Sequence, residues 1–215
     1  PSPILTTVAA PHARRIRWAI DVTYTGINSA ESIAHAVQAI YRAHGRVVGA
    51  LLLKKHLEEV VRVLLEDHRL RVHCLTDTDM DGDTARTVDA DILIGTWGKH
   101  HRAFDGFRDC SALVLGGSYR LSTTTFLRRA SCMRAYGISL PSQVPTLLAY
   151  SGRDTRGNAY ARYNRSLYID NAPDANFLYQ VERRAALRQG TERLRSTYRA
   201  LEGRPPAEIY LIGPE

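Results

Sequence analysis

Residues 46–53 read Arg-Val-Val-Gly-Ala-Leu-Leu-Leu and run straight into Lys54, Lys55 and His56. An unbroken apolar run this short, with charge at both ends, has no polar side to offer water. As a strand it must be covered on both faces, which is the condition of an interior strand in a parallel sheet. The residues that follow switch to helical period. Leu57, Val60, Val61, Leu64 and Leu65 form one stripe, while Lys54, Lys55, Glu58, Glu59 and Arg62 take the other side. A covered strand passing directly into an amphipathic helix is the opening of a βαβ unit.

The alternation extends in both directions. Residues 16–22 (IRWAIDV) read as a buried strand. A turn around Gly26 follows, then a capping-box-like start at Asn28 and Glu31, and a helix with Ile33, Val37, Ile40 and Tyr41 on one face that stops at Gly45. Residues 70–75 (LRVHCL), 91–96 (DILIGT) and 112–115 (ALVL) are further strands. Ser122 is placed to cap a helix through Phe126, Leu127, Ala130 and Met133 to Gly137. Strands and helices in this order predict right-handed crossovers and an α/β fold with helices on both faces of a parallel sheet.

From Pro141 the texture changes. Residues 146–150 can form a strand, but 151–164 are rich in Arg, Gly, Asn and Tyr, so a boundary is expected near Ser151, with one domain over 1–150 and a basic helical extension over 151–215. Asp174 is placed to cap a long helix that Gly190 interrupts or weakens, and residues 208–212 (EIYLI) close the chain as a short strand. Residues 151–204 hold eleven arginines, no lysine and six acids, a surplus of five within a formal charge of +7. That balance suits an anionic partner such as a nucleic acid, or simply a well-solvated basic surface.

The totals are those of a globular chain, 44% hydrophobic and 24% charged, and no apolar run approaches the roughly 20 residues of a membrane span. No membrane partner is therefore expected. Cys74, Cys110 and Cys132 are odd in number, widely spaced and without metal-ligand pairing, which fits a cytoplasmic or other reducing compartment. The start at Pro1-Ser2-Pro3 leads us to expect a piece of a longer chain, such as a viral polyprotein.

In open parallel sheets ligands gather at the carboxyl ends of the strands. Over residues 46–137 the order of elements resembles the second RecA-like domain of superfamily 2 helicases. The resemblance rests on the strand RVVGALLL, the helix KKHLEEVVRVLL, the strands LRVHCL, DILIGTW and ALVLGG, and the helix TTTFLRRASCMRAYG. It implies that Thr96, at the end of its strand, touches the nucleic-acid backbone and that Asp105, at the end of the loop, approaches a nucleotide. Asp105 falls one position late, without the glycine two residues before it. Lys99 and Arg102 add charge to the same loop, and Gly95 and Gly98 allow close backbone approach. The family's last motif corresponds to residues 127–134, where Arg128 and Arg134 stand at the first and last arginine positions and the glutamine, both glycines and the middle arginine are replaced. Guanidinium groups there are suited to phosphate sensing; otherwise they only solvate the helix.

No phosphate loop and no Asp-Glu metal-binding pair occurs in the chain. The resemblance therefore implies ATP and magnesium only together with a first RecA-like domain in the same longer chain, and no activity from this chain alone. Single-stranded RNA or DNA is the expected partner, held by Thr96, Lys99 and Arg102 with Arg153, Arg156, Arg162 and Arg165. The interleaved Tyr150, Tyr160, Tyr163 and Tyr168 can stack on bases or pack within the protein. The alternative is a non-catalytic RecA-like module that binds RNA or protein through its basic C-terminal region.

Other signals carry less. Asp77, Asp79 and Asp81 begin like a calcium loop, but Val88 stands where a bidentate glutamate is needed. The same aspartates resemble those of topoisomerase-primase domains, without the glutamate after the first strand. An acidic surface loop with no metal is the expectation. His100 and His101, being adjacent, point apart, and are read as loop histidines near phosphate. Ser118, Ser122 and Thr123 to Thr125 lack a nucleophile-elbow context.

Overall fold

The computed structural model describes residues 15–20, 30–76, 79, 87–101, 105–117, 121–141, 149–153, 159–163, 172–194, 199, 202–203 and 208–212. Asn28, Asp77, Asp81, Arg102, Ser118, Arg156, Arg165 and Tyr168 lie outside the described residues. The elements in chain order are β1 (Arg15–Ile20), α1 (Ala30–His44), β2 (Val48–Leu52), α2 (Lys54–Glu66), β3 (Val72–Cys74), β4 (Ile92–Thr96), β5 (Ala112–Gly116), α3 (Thr123–Ala135), β6 (Ala149–Arg153), β7 (Ala159–Tyr163), α4 (Pro173–Thr191) and β8 (Glu208–Ile212). The chain divides into two compact units, Pro1–Tyr119 with Ala186–Glu215, and Arg120–Ala185.

The first unit is an α/β sheet. Six strands lie in the order β1-β8-β5-β2-β4-β3, every neighbouring pair parallel. The apolar runs alternate their side chains across it, as strand geometry requires. Val48, Ala50, Leu52, Ile92, Ile94, Ala112, Val114 and Ile212 pack with Ile33, Ala34, Val37 and Ile40 of α1 and Val60, Val63 and Leu64 of α2. On the other face Leu51, Leu93, Leu113, Leu115, Ile209 and Leu211 pack with Trp97, Phe107, Cys110, Ala186 and Leu194. The second face is thus covered by the 97–110 segment, the end of α4 and a 3₁₀ turn at Glu192–Leu194.

Several local expectations are revised. The buried stripe of α2 is His56, Val60, Val63 and Leu64, while Leu65 is 46% exposed, because spacings of four, three and one keep to the 3.6-residue period and Leu65 rotates off it. Gly190 does not interrupt α4. The helix continues to Thr191, and a Cβ at Gly190 would stand 3.0 Å from the Trp97 ring, so the missing side chain admits the indole. Residues 208–212 form no appendage: β8 sits inside the sheet between β5 and β1, and for this reason the compact units do not divide at residue 150.

The second unit contains α3, the β6–β7 pair and the first part of α4. Ser122 caps α3, its Oγ accepting from the Thr125 N–H, and Gly137 ends the turn after it at φ +72°. The core is small. Phe126 and Ala130 meet Ala175 and Tyr179, with the two aromatic rings edge to face at 5.4 Å. The Tyr- and Arg-rich stretch after Ala149 is an antiparallel pair in which Tyr150 stands opposite Arg162 and Arg153 opposite Ala159.

Candidate functional site

β2, β4 and β5 are adjacent and end together, with Leu52 level with Thr96 and Leu51 level with Leu115. α2 leaves β2 on one face of the sheet, whereas β4 and β5 are followed by segments that contribute to the other face. A crevice at the carboxyl ends is the usual result where successive connections diverge in this way, and it is the default ligand position in such sheets.

The turn after β4 is built from its own side chains. The Thr96 N–H donates to His100 Nδ1 at 2.9 Å and the Gly98 N–H donates to His101 Nδ1 at 2.9 Å. Gly98 has φ +93°, which only glycine adopts readily. The Trp97 N–H donates to the Leu52 carbonyl at 2.9 Å, and the indole N–H donates to the Gly116 carbonyl at 3.0 Å, tying the end of β4 to its neighbour β2 and, beyond it, to β5. Both histidines are buried, and an imidazole that accepts at Nδ1 is neutral, with its proton on Nε2. They hold the loop from inside and do not present themselves to a phosphate, so that expectation is revised.

Thr96 is half-buried at the head of this turn and Lys99 is exposed on it. Asp105 is half-buried at the start of the next turn, its carbonyl accepting from the Arg108 N–H at 2.8 Å. Phe107, two residues on, fills the space beside Gly49 and Gly95, where a Cβ would lie 2.6 and 2.8 Å from its ring. The outer loop is therefore anchored by a buried aromatic ring, and its polar residues are carried on a fixed base.

Arg128 and Arg134 belong to the second unit. Six residues apart on α3, they stand about 120° apart around the helix axis. Arg134 Nε lies 3.2 Å from Asp174 Oδ2, and Arg129 Nη1 donates to Glu182 Oε2 at 3.3 Å, so both reach across to α4. Arg128 is exposed. The basic C-terminal segment also contains arginines that serve the fold. Arg199 is buried, its Nη1 donating to the carbonyls of Arg108 at 3.0 Å and Cys110 at 2.8 Å, and Arg193 is buried with Nε on the Gln189 carbonyl at 3.0 Å. Not every arginine in the surplus is open to a partner.

Asp79 is occupied locally. Its Oδ2 accepts from the Thr76 N–H at 2.6 Å and from the Thr76 hydroxyl at 2.7 Å, with His73 Nε2 at 3.2 Å. Burial works against its charge, but these donors outweigh burial and hold the carboxyl below its ordinary range. Among the described residues no three His, Cys, Asp or Glu side chains stand together as a metal site. No helix of the described residues is long and apolar enough to cross a membrane.

One cluster had no signal in the sequence. At the amino end of β4, Asp91 accepts from the Arg71 N–H at 2.9 Å, from Arg71 Nη2 at 2.8 Å and from the Tyr41 hydroxyl at 2.8 Å. The Arg71 guanidinium holds the Asp91 carboxyl at about 2, against its own burial, and the same carboxylate pushes the Tyr41 phenol up. Lying at the opposite ends of the strands from Thr96, it latches α1 to the β3–β4 pair. No protein family model, curated protein or solved structure matches this chain.

Proposed function

We propose that this chain is the second RecA-like half of an ATP-dependent nucleic-acid helicase, supplying strand grip and phosphate-sensing arginines to a first half that holds the nucleotide. The observation that carries the reading is the position of Thr96 and Lys99, on an internally locked turn at the carboxyl edge of a six-stranded parallel sheet. A hydroxyl and an ammonium fixed at such an edge suit two successive phosphates of a single strand, and a rigid base keeps the entropy cost of binding low. Single-stranded RNA or DNA is the partner, joined by arginines of the β6–β7 pair.

ATP with magnesium belongs between this chain and the first RecA-like domain. Arg128, exposed on α3, is suited to reach its phosphates, and Arg134 is suited to do so once it exchanges Asp174 for phosphate oxygen. The ion pairs of Arg129 and Arg134 within their own unit favour a second reading, a non-catalytic module that binds RNA or protein through the basic region.

Two measurements separate the readings. Fluorescence anisotropy with a labelled single strand should show affinity falling steeply with salt, and Thr96→Ala with Lys99→Ala should weaken it by about tenfold. In a longer protein that carries a phosphate loop upstream, Arg128→Ala should lower strand-stimulated ATP hydrolysis by at least about tenfold while strand affinity holds. Unchanged hydrolysis in that variant leaves the non-catalytic module; unchanged strand binding in the first defeats both the grip and its location.

A further inference from the structure

Residues 127–131 read Leu-Arg-Arg-Ala-Ser. Within α3 the serine that ends this run, Ser131, is exposed, and Arg128 and Arg134 stand three residues to either side of it. Side chains three apart on a helix are neighbours, so the hydroxyl lies midway between two guanidinium groups. One of them already touches it. Arg134 Nη2 donates to Ser131 Oγ at 3.3 Å, while Nε of the same side chain is 3.2 Å from Asp174 Oδ2. Arg134 is thus shared between a hydroxyl on its own helix and a carboxylate in the first turn of α4.

The surroundings of Ser131 are unusual in two further ways. No Asp or Glu occurs between Asp109 and Asp154, so the charged side chains of α3 are Arg128, Arg129 and Arg134 alone. A serine preceded by arginines two and three places earlier, with no carboxylate nearby in sequence, offers two cations to an enzyme cleft lined with carboxylates. The helix is also lightly held. Of its 13 residues only Phe126 and Ala130 are buried, and every residue from Ser131 to Ala135 is exposed or half-buried. Opening its last turns uncovers little apolar surface, so an enzyme that needs an extended chain can obtain one here.

We propose that Ser131 is a phosphorylation site for an arginine-directed, ATP-dependent serine kinase, and that its phosphate takes Arg134 away from Asp174. In the transfer Ser131 Oγ bonds to the γ-phosphorus of ATP, the bond from that phosphorus to the bridging oxygen breaks, and ADP leaves. The hydroxyl proton passes to the kinase's catalytic carboxylate. A group with a charge of about −1.5 to −2 and three acceptor oxygens then stands where a neutral hydroxyl stood. Arg134 is already in reach, and Arg128 flanks the other side. Two guanidinium groups on a dianion outweigh one guanidinium on a single carboxylate, and they offset the negative end of α3 close by. Asp174 keeps its bond from the Ala175 N–H at 2.8 Å but no longer ties α4 to α3. The Arg129–Glu182 pair and the Phe126–Tyr179 contact remain, so modification loosens one end of the helix pair without dissolving it. Arg128 and Arg134 are the arginines assigned above to nucleotide phosphate, but this exchange needs no nucleotide site and is tested without one.

The test is incubation of the full, folded chain with ATP and the catalytic subunit of cyclic-AMP-dependent protein kinase as the arginine-directed probe. The modified residue is located by mass spectrometry and its phosphate followed by phosphorus NMR. Ser131→Ala should lower incorporation by at least about tenfold, as should Arg128→Ala with Arg129→Ala. A loosened helix would raise incorporation, so a fall in the double variant reports recognition of the two arginines. In the modified chain the phosphoserine should complete its second ionisation at least about half a pH unit below the ~6 of an isolated phosphoserine. Arg134→Gln, a change at a side chain 61% exposed, should return it to that value while incorporation stays within about threefold of the parent. No incorporation, incorporation only after denaturation, or preference for another serine overturns the site. A phosphoserine that titrates alike in the parent and in Arg134→Gln overturns the exchange. Failure of strand binding or of ATP hydrolysis in the variants described above leaves both results untouched.

Discussion

The first unit buries apolar side chains on both faces of a six-stranded sheet, whereas among the described residues the second has a small core around Phe126, Ala130, Ala175 and Tyr179, with the ion pairs Arg129–Glu182 and Arg134–Asp174 nearer the surface. The two use charge differently as well. In the first, Arg199 and Asp91 are half-buried or buried and make several hydrogen bonds each. In the second, Arg129 and Arg134 reach over the surface to single carboxylates. The difference teaches that a basic residue in this chain is informative only once its partners are known: some arginines complete the fold, and others are open to exchange partners.

The sharpest way to break this comparison is to remove one aromatic ring from each core. Phe107→Ala should cost about 3–5 kcal/mol in denaturant unfolding and expose the amides of β2 and β4 to hydrogen exchange. Phe126→Ala should release exchange only within residues 120–185; release throughout the chain would show that the units unfold as one. Gly190→Val places methyl groups against the Trp97 ring and should cost up to about 3 kcal/mol, read as a lower midpoint with unchanged slope. A neutral result would mean that the indole can move aside freely.

Asp91 gives the next effect. Its folded value near 2 lies below the ordinary 3.8, so the unfolded chain takes up the proton more readily. Its contribution is complete above about pH 4 and is lost as pH falls toward 2. Asp91→Asn should therefore cost about 2 kcal/mol at pH 7 and almost nothing at pH 2, measured by urea unfolding at both. A loss equal at the two pH values would refute the charge account. The smallest effect belongs to Arg134, whose side chain is 61% exposed: Arg134→Ala should change stability by less than about 1 kcal/mol, and this should vanish in high salt.

The legible part of the molecule was the part governed by period. The apolar runs that became β2, β4 and β5, the start of α3 at Ser122 and the end of α1 at Gly45 all follow from local sequence, because each depends on neighbours within a turn or two. What could not be read depends on distant partners. Leu65 and Val63 are equally apolar, and only the sheet's position decides which is covered. Gly190 looked like a helix breaker because Trp97, nearly a hundred residues away, is invisible in the local pattern. The Tyr- and Arg-rich stretch hides a strand pair because its alternation is weak. At the candidate site, Thr96 and Lys99 were legible as a strand-end loop. The roles of His100 and His101 were not, since their acceptors face backbone N–H groups fixed only by the fold.

The place of β8 sets an order in time. β1 has one partner in the sheet, β8, and about 190 residues separate the end of one from the end of the other. At ~5–20 residues per second, a ribosome needs on the order of 10–40 s to deliver that partner. During that interval Arg15–Ile20 is a strand with nothing to pair with, and the edge of β5 stands open as well. The nascent chain thus carries two unpaired edges until β8 slots between them, so the order of synthesis sets how long they stay open.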